Sequence, residues 1–273
     1  MKLALEILKE QKKYFYLIRR LSLYELKSNN KSNYLGMAWE LINPAIQILI
    51  YWLVFGTLMR REPIIISGNE VPFINWLMAG FFVWTLFYQS VIQGSKSIYT
   101  RLRMLSKMSF PMSIIPSYVI FSQFYIHLMS MLVTFLIFII INQSINIYII
   151  QLPYYMFAGL CLMFSISLVM STLSTIVRDV HMLLNSTLKM FLYLSGVLWP
   201  ITLLSDYPFL MKVMKLNPVY YLINGYRQSF FGNTWSIISE WKYTLFFWGL
   251  VLVIFLIGSR LHMKFRRHFI DFL

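Results

Sequence analysis

Acidic charge is what this chain has least of: ten Asp and Glu stand among 273 residues, and no two lie within three positions of each other. A membrane transferase acting on lipid diphosphates needs clustered carboxylates to hold Mg²⁺, and that clustering is missing. One cysteine, Cys161, excludes an intramolecular disulfide and reads as a small packing residue. No Cys/His group has zinc spacing, and no GxSxG nucleophile elbow occurs. Gly94-Ser95-Lys96-Ser97 lacks the upstream glycine and the GK[ST] ending of a P-loop, so the chain has no such means of hydrolysing ATP. We therefore expect no catalytic residue, no metal ligand and no cofactor in this chain.

What the chain has instead is apolar length. Hydrophobic residues make up 59% and charged residues 12%, with mean hydropathy +0.65, more apolar surface than a soluble domain of this size hides. Six runs are long enough to cross a bilayer: Leu41 to Met59, Phe73 to Ile92, Ile114 to Ile141, Pro153 to Val177, Met182 to Trp199 and Tyr243 to Arg260. Basic residues gather on one side of them. The segment before the first run, the second connection (Lys96, Arg101, Arg103, Lys107), the fourth (Arg178, Lys189) and the tail hold 18 of the 24 Lys and Arg. The positive-inside rule puts that side in the cytoplasm, so the chain reads as an all-α, six-span membrane protein with both termini inside. The net charge of +14 flanks the spans, where orientation and anionic lipid explain it, and matches no nucleic-acid motif.

Residues 1–40 precede the spans. At 100° per residue, Leu3, Ile7, Tyr14, Leu17, Ile18 and Leu21 share one face, and Lys2, Lys9, Lys12, Lys13, Arg19, Arg20 and Lys27 the other. That pattern predicts an amphipathic helix on the cytoplasmic leaflet. Residues 41–273 form the spanning region, with a basic cytoplasmic segment at about 94–113 and an external one at about 200–242. The external segment is apolar but broken by Pro and Gly, and predicts two short helices that dip into the membrane and return. Ser167, Ser171 and Thr175 recur at i, i+4, i+8 beside Ser174, which predicts close helix packing. His127, deepest of the ionisable groups in a span, has no second His or carboxylate at helical spacing and reads as hydrogen-bonded packing.

Four ordered stretches resemble the polysaccharide-type ABC-2 permeases. The first runs from Tyr34-Leu35-Gly36-Met37-Ala38-Trp39-Glu40-Leu41-Ile42-Asn43-Pro44 to Val54-Phe55-Gly56. The others are Arg101 through Phe110-Pro111 to Pro116, Arg178-Asp179-Val180, and Asn217-Pro218-Val219-Tyr220-Tyr221 with Tyr226-Arg227. The wording from Tyr34 to Gly56 is similar to wall teichoic acid translocation permeases of Gram-positive bacteria. The resemblance implies a second copy of the chain, two copies of a cytoplasmic ABC ATPase that bind ATP and Mg²⁺, and a polymer on undecaprenyl diphosphate threaded outward. It implies that Arg101, Arg103 and Lys107 couple to the ATPase, and that Lys12, Lys13, Arg19 and Arg20 meet the lipid head group. Gln47, Tyr51, Trp52 and Phe55 become candidates for lining the channel. Tyr34, Gly36, Trp39, Pro44, Arg178, Asp179, Asn217, Pro218, Tyr226 and Arg227 become structural or gating candidates, with Arg178-Asp179 expected as an ion pair and Arg227 as an anchor. Alternatives are export of capsule, O-antigen, a small drug or a lipid. A polymer transferase and a non-catalytic scaffold are alternatives of other classes.

Overall fold

The structure is a computed structural model that describes residues 2–29, 31, 34–102, 110–141 and 146–269. The amphipathic segment forms two helices, α1 (Lys2–Lys13) and α2 (Phe15–Asn29), separated at Tyr14. Their apolar sides turn inward at Ala4, Ile7, Ile18 and Leu26, while Leu3 stays exposed. α1 lies against the last long helix, Trp241–Phe265, and α2 against the helix Ile114–Ile140, so the segment is docked on the helical body.

Gly36 opens a 3₁₀ turn that feeds α3 (Trp39–Tyr51), where Glu40 lies in the first turn and favours the helix dipole. α3 runs on as a π-helical turn, Trp52–Leu58. The following connection is a hairpin that the sequence reading did not foresee. β1 (Ile64–Ile66) pairs antiparallel with β2 (Asn69–Val71), with Ile64 opposite Val71. Ser67 and Gly68 both have positive φ (51° and 87°), the conformation a two-residue type I′ turn requires.

α4 (Phe73–Lys96) is the centre of the molecule. It is apolar or small on nearly every side, and a helix of that kind is buried. Around it stand α5 (Ile114–Ile140), α6 (Leu152–Ile176), α7 (Asp179–Leu194) and α9 (Pro218–Phe231), and α11 (Trp241–Phe265) packs along α6. Short helices α8 (Pro208–Lys215) and α10 (Ser236–Ser239) complete the order. Among the described residues, four stretches are long and apolar enough to cross a membrane: Gly36–Leu58, Ile114–Ile140, Ile147–Ile176 and Trp241–Phe265. The expected second run falls on α4, and the expected fifth falls on α7, which has 16 residues.

The segment before the last helix holds three helices, α8, α9 and α10, and a 3₁₀ turn at Ile201–Leu204, where two short helices were expected, and α8 and α9 differ. α8 leaves Phe209, Leu210 and Val213 exposed, whereas α9 is buried along almost its whole length between α4 and α6. Asn217 caps α9, its Oδ1 accepting the Val219 N–H at 3.0 Å, and Pro218 takes the first helical position, where its missing N–H costs nothing. The small-residue stripe of α6 is buried and packs as expected. Ser167 lies so close to Gly94 of α4 that a Cβ there would sit 2.3 Å from its hydroxyl.

Candidate functional site

Three helices make the site. α7 runs antiparallel to α4, as three ties show. Ser95 Oγ lies 2.7 Å from His181 Nδ1 at one end, and Tyr88 donates to Asn185 Oδ1 at 2.7 Å further along. At the other end Arg227 joins the two, its Nε donating to the Trp76 carbonyl at 3.3 Å and its guanidinium nitrogens to those of Gly196 and Val197 at 2.8 and 2.9 Å. α3 lies along α4 through Tyr51 on Phe81 (ring centroids 5.6 Å apart) and Phe55 on Phe73 (6.3 Å).

Between α3, α4 and α7 opens a cavity of about 380 Å³. Tyr51, Phe81, Trp84, Tyr88 and Tyr193 give it aromatic walls, Gln47, Thr85 and Gln89 give it polar groups, and Lys189 supplies a cation. A smaller cavity of about 100 Å³ continues from it between α3, α4 and α5. It shares Gln47, Thr85 and Gln89 and adds Glu40, Asn43, Gln123, His127 and Ser130. Aromatic faces and amides suit a hydroxyl-rich ligand, because rings stack on sugar C–H faces while amides both donate and accept.

Of the four channel-lining candidates, the structure brings Gln47 and Tyr51 to the cavity. Phe55 packs instead between Tyr51 and Phe73, with the Arg61 guanidinium 5.8 Å from its ring. Trp52 is part-exposed and lies over Gly56. Thr85, Gln89 and Lys189 were missed. Thr85 and Gln89 stand at i, i+4 in an apolar run, a signal legible in the sequence. Lys189 was counted with the cytoplasmic flank, yet it sits inside α7 and lines the cavity.

The other candidates fall on buried contacts, a cavity wall and the surface. Arg227 is an anchor, 4% exposed, with its guanidinium carbon 3.4 Å from the centroid of the Trp76 ring. Tyr226 pairs its hydroxyl with His127 Nε2 at 2.9 Å, which accounts for the buried histidine. Pro44 lines the smaller cavity, Gly36 has φ +51°, and Tyr34 and Trp39 are exposed. Arg178 and Asp179 do not form the expected ion pair. The ion pairs among the described residues are Arg101–Glu25, Arg266–Glu6 and Arg266–Glu10, and Asp179 serves the first turn of α7.

The sequence pattern of the ABC-2 type transporter family matches residues 16–231. The chain belongs to the ABC-2 type transporter family. The O-antigen export system permease protein RfbA of Myxococcus xanthus is 22% identical over 227 residues, 83% of this chain and 85% of that protein. A Klebsiella pneumoniae protein of the same name is 23% identical over 252 residues, 91% of this chain and 92% of its own length.

In this ABC-2 chain the candidate coupling residues divide. Arg101 is bound to Glu25 of α2, donates to the Ser97 carbonyl at 3.0 Å and lies over the Tyr118 ring; Arg103 and Lys107 fall outside the described residues. The four candidate head-group cations divide as well. Lys12 lines an apolar groove of about 550 Å³ between α1–α2 and α5–α6, together with Phe121, Phe157, Cys161 and Phe164. Lys13 lies over the Tyr14 ring, and Arg19 and Arg20 are exposed.

Proposed function

We propose that the chain is the membrane-embedded permease of an ATP-driven exporter that moves a lipid-linked polysaccharide across the plasma membrane. The observation that carries this reading is the cavity between α3, α4 and α7, whose aromatic rings and amides have the chemistry of a path for a sugar chain. The names of the Myxococcus and Klebsiella relatives support a polysaccharide cargo. ATP and Mg²⁺ belong to a separate cytoplasmic ATPase, present in two copies and docked on the segment from Arg101 to Lys107.

A second copy of the chain completes the path. α3 and α7 flank the cavity with large exposed apolar residues, among them Leu49, Ile50, Leu53, Met190 and Phe191, and a symmetric partner would cover them and close the groove into a channel. The arrangement includes six spans, re-entrant α8–α9 on the outer face, both termini inside, and residues 1–40 as the vestibule for an undecaprenyl diphosphate head group. Wall teichoic acid, O-antigen and capsule are the candidate polymers. The sequence from Tyr34 to Gly56 favours the first, and the named relatives the second.

The test is reconstitution of the chain with the ATPase that co-purifies with it, in vesicles carrying undecaprenyl-diphosphate oligosaccharide. ATP-dependent appearance of the oligosaccharide on the opposite face is expected. Transfer of sugar by the chain alone, without an ATPase, would replace the exporter by a transferase.

A further inference from the structure

Lys189 is out of place for a residue that only orients a membrane protein. The ties between α4 and α7 place it between Asn185, held by Tyr88, and Gly196–Val197, held with Trp76 by Arg227. It therefore stands level with Trp84 and Thr85, near the midpoint of α4. A cation at that depth is tolerated where it faces a cavity, and there it marks a substrate path. Lys189 lines the cavity with Gln47, Gln89, Tyr51 and Tyr193, all of which carry N–H or O–H donors. Among the described residues no carboxylate pairs with it, and the cavity has no acid in its wall; Glu40 belongs to the smaller cavity beyond Gln47.

We infer that Lys189, with Gln47 and Gln89, forms a phosphate-binding subsite halfway along the translocation path, an assignment that rests on the export reading above. A positive group ringed by donors and free of acids selects an oxyanion, and phosphate oxygens accept charge-assisted hydrogen bonds from ammonium and amide alike. Lysine suits a moving cargo. Its ammonium is a point charge on a flexible stem and holds a phosphate without the fixed two-pronged geometry of arginine. Passage requires binding weak enough to let go. The phosphate has two possible sources, the diphosphate of the carrier lipid and phosphodiesters within the polymer.

The experiment uses the permease–ATPase complex in vesicles with two probes, an undecaprenyl-diphosphate oligosaccharide that is otherwise neutral and one with phosphodiesters in its repeat. Lys189→Gln should lower export about tenfold, the order expected for one lost charge-assisted hydrogen bond, and Lys189→Arg should restore most of it. A fall with both probes identifies the lipid diphosphate, and a fall with the second alone identifies the polymer. Unchanged export of both overturns the subsite. A second arm reads binding without export: Leu192→Cys, in the same cavity wall, in a Cys161→Ala background with Lys189 kept, reacted with a charged methanethiosulfonate; Lys189→Gln added to it should abolish any protection. Protection of the thiol by undecaprenyl diphosphate or by the phosphodiester probe supports the subsite, and equal reaction with and without both overturns it. If wild-type complex exports neither probe, the exporter reading fails and the thiol arm alone decides on Lys189.

Discussion

Arg227 shows how one side chain fixes the distance between three helices. Its fork spans two consecutive carbonyls at the end of α7, its Nε reaches α4, and its flat face lies on Trp76. Gly80 makes room for it, since a Cβ there would stand 2.5 Å from an arginine nitrogen. Arg227→Ala should destabilise the chain by at least about 3 kcal/mol, because three buried carbonyls lose donors worth about 1–3 kcal/mol each. Arg227→Lys should recover only part, for an ammonium cannot bridge Gly196 and Val197 together. Reversible unfolding in mixed micelles measures both. Gly80→Ala should destabilise in the same direction, and its effect should largely vanish in an Arg227→Ala background, since the steric partner is gone.

Among the helices that wall the cavity, α7 is lightly held along its length. Leu188 is its single buried residue, and Tyr88–Asn185 and Ser95–His181 tie it to α4. A helix attached by a few polar contacts can shift against its neighbours at low cost, which suits a movable wall of the proposed path. Tyr88→Phe removes one such contact while keeping the ring. Stability should fall by about 1 kcal/mol, and spin labels on α4 and α7 should report a broader distance distribution. An unchanged distribution would show that α7 is fixed by packing alone. α9 behaves in the opposite way, with Gly225 set so close to Tyr155 of α6 that a Cβ would lie 2.2 Å from the ring. Gly225→Val should therefore unseat α9 and lower the amount of folded protein recovered from membranes.

For the whole molecule, the N-terminal helices are part of the body. Glu6 and Glu10 hold Arg266 at 3.1 and 2.9 Å, Gln11 donates to the Ser113 carbonyl at 3.0 Å, and Glu25 holds Arg101. The candidate coupling segment and the candidate vestibule are thus joined by an ion pair, so movement of one is felt by the other. Replacing Arg101, Arg103 and Lys107 together with Glu should uncouple the ATPase while the purified chain keeps its wild-type helix content. Two outcomes separate docking from internal bracing. Arg101→Glu with Glu25→Arg restores the internal pair with its sign reversed. If Arg101 acts by touching the ATPase, stimulation of ATP hydrolysis stays low; if it acts through α2, stimulation returns.

Much of this was written in one dimension. Apolar length and the one-sided basic charge are local properties, and they dictate a helical membrane protein. The ordered motifs pointed to the family, and local rules placed the packing role of Ser167 and the apolar face at Ile7 and Ile18, which the sequence assigned to the lipid leaflet and the structure seats on the helical body. What the tertiary structure decided depends on which helices meet. Nothing in its neighbours marks Lys189 as a wall of a cavity, because only the antiparallel seating of α7 on α4 brings it opposite Gln47. Likewise Arg227 could have faced outward until the Trp76, Gly196 and Val197 carbonyls closed on it from sites 30 and more residues away. Helical period assigns a residue to a face, and packing alone decides what that face meets.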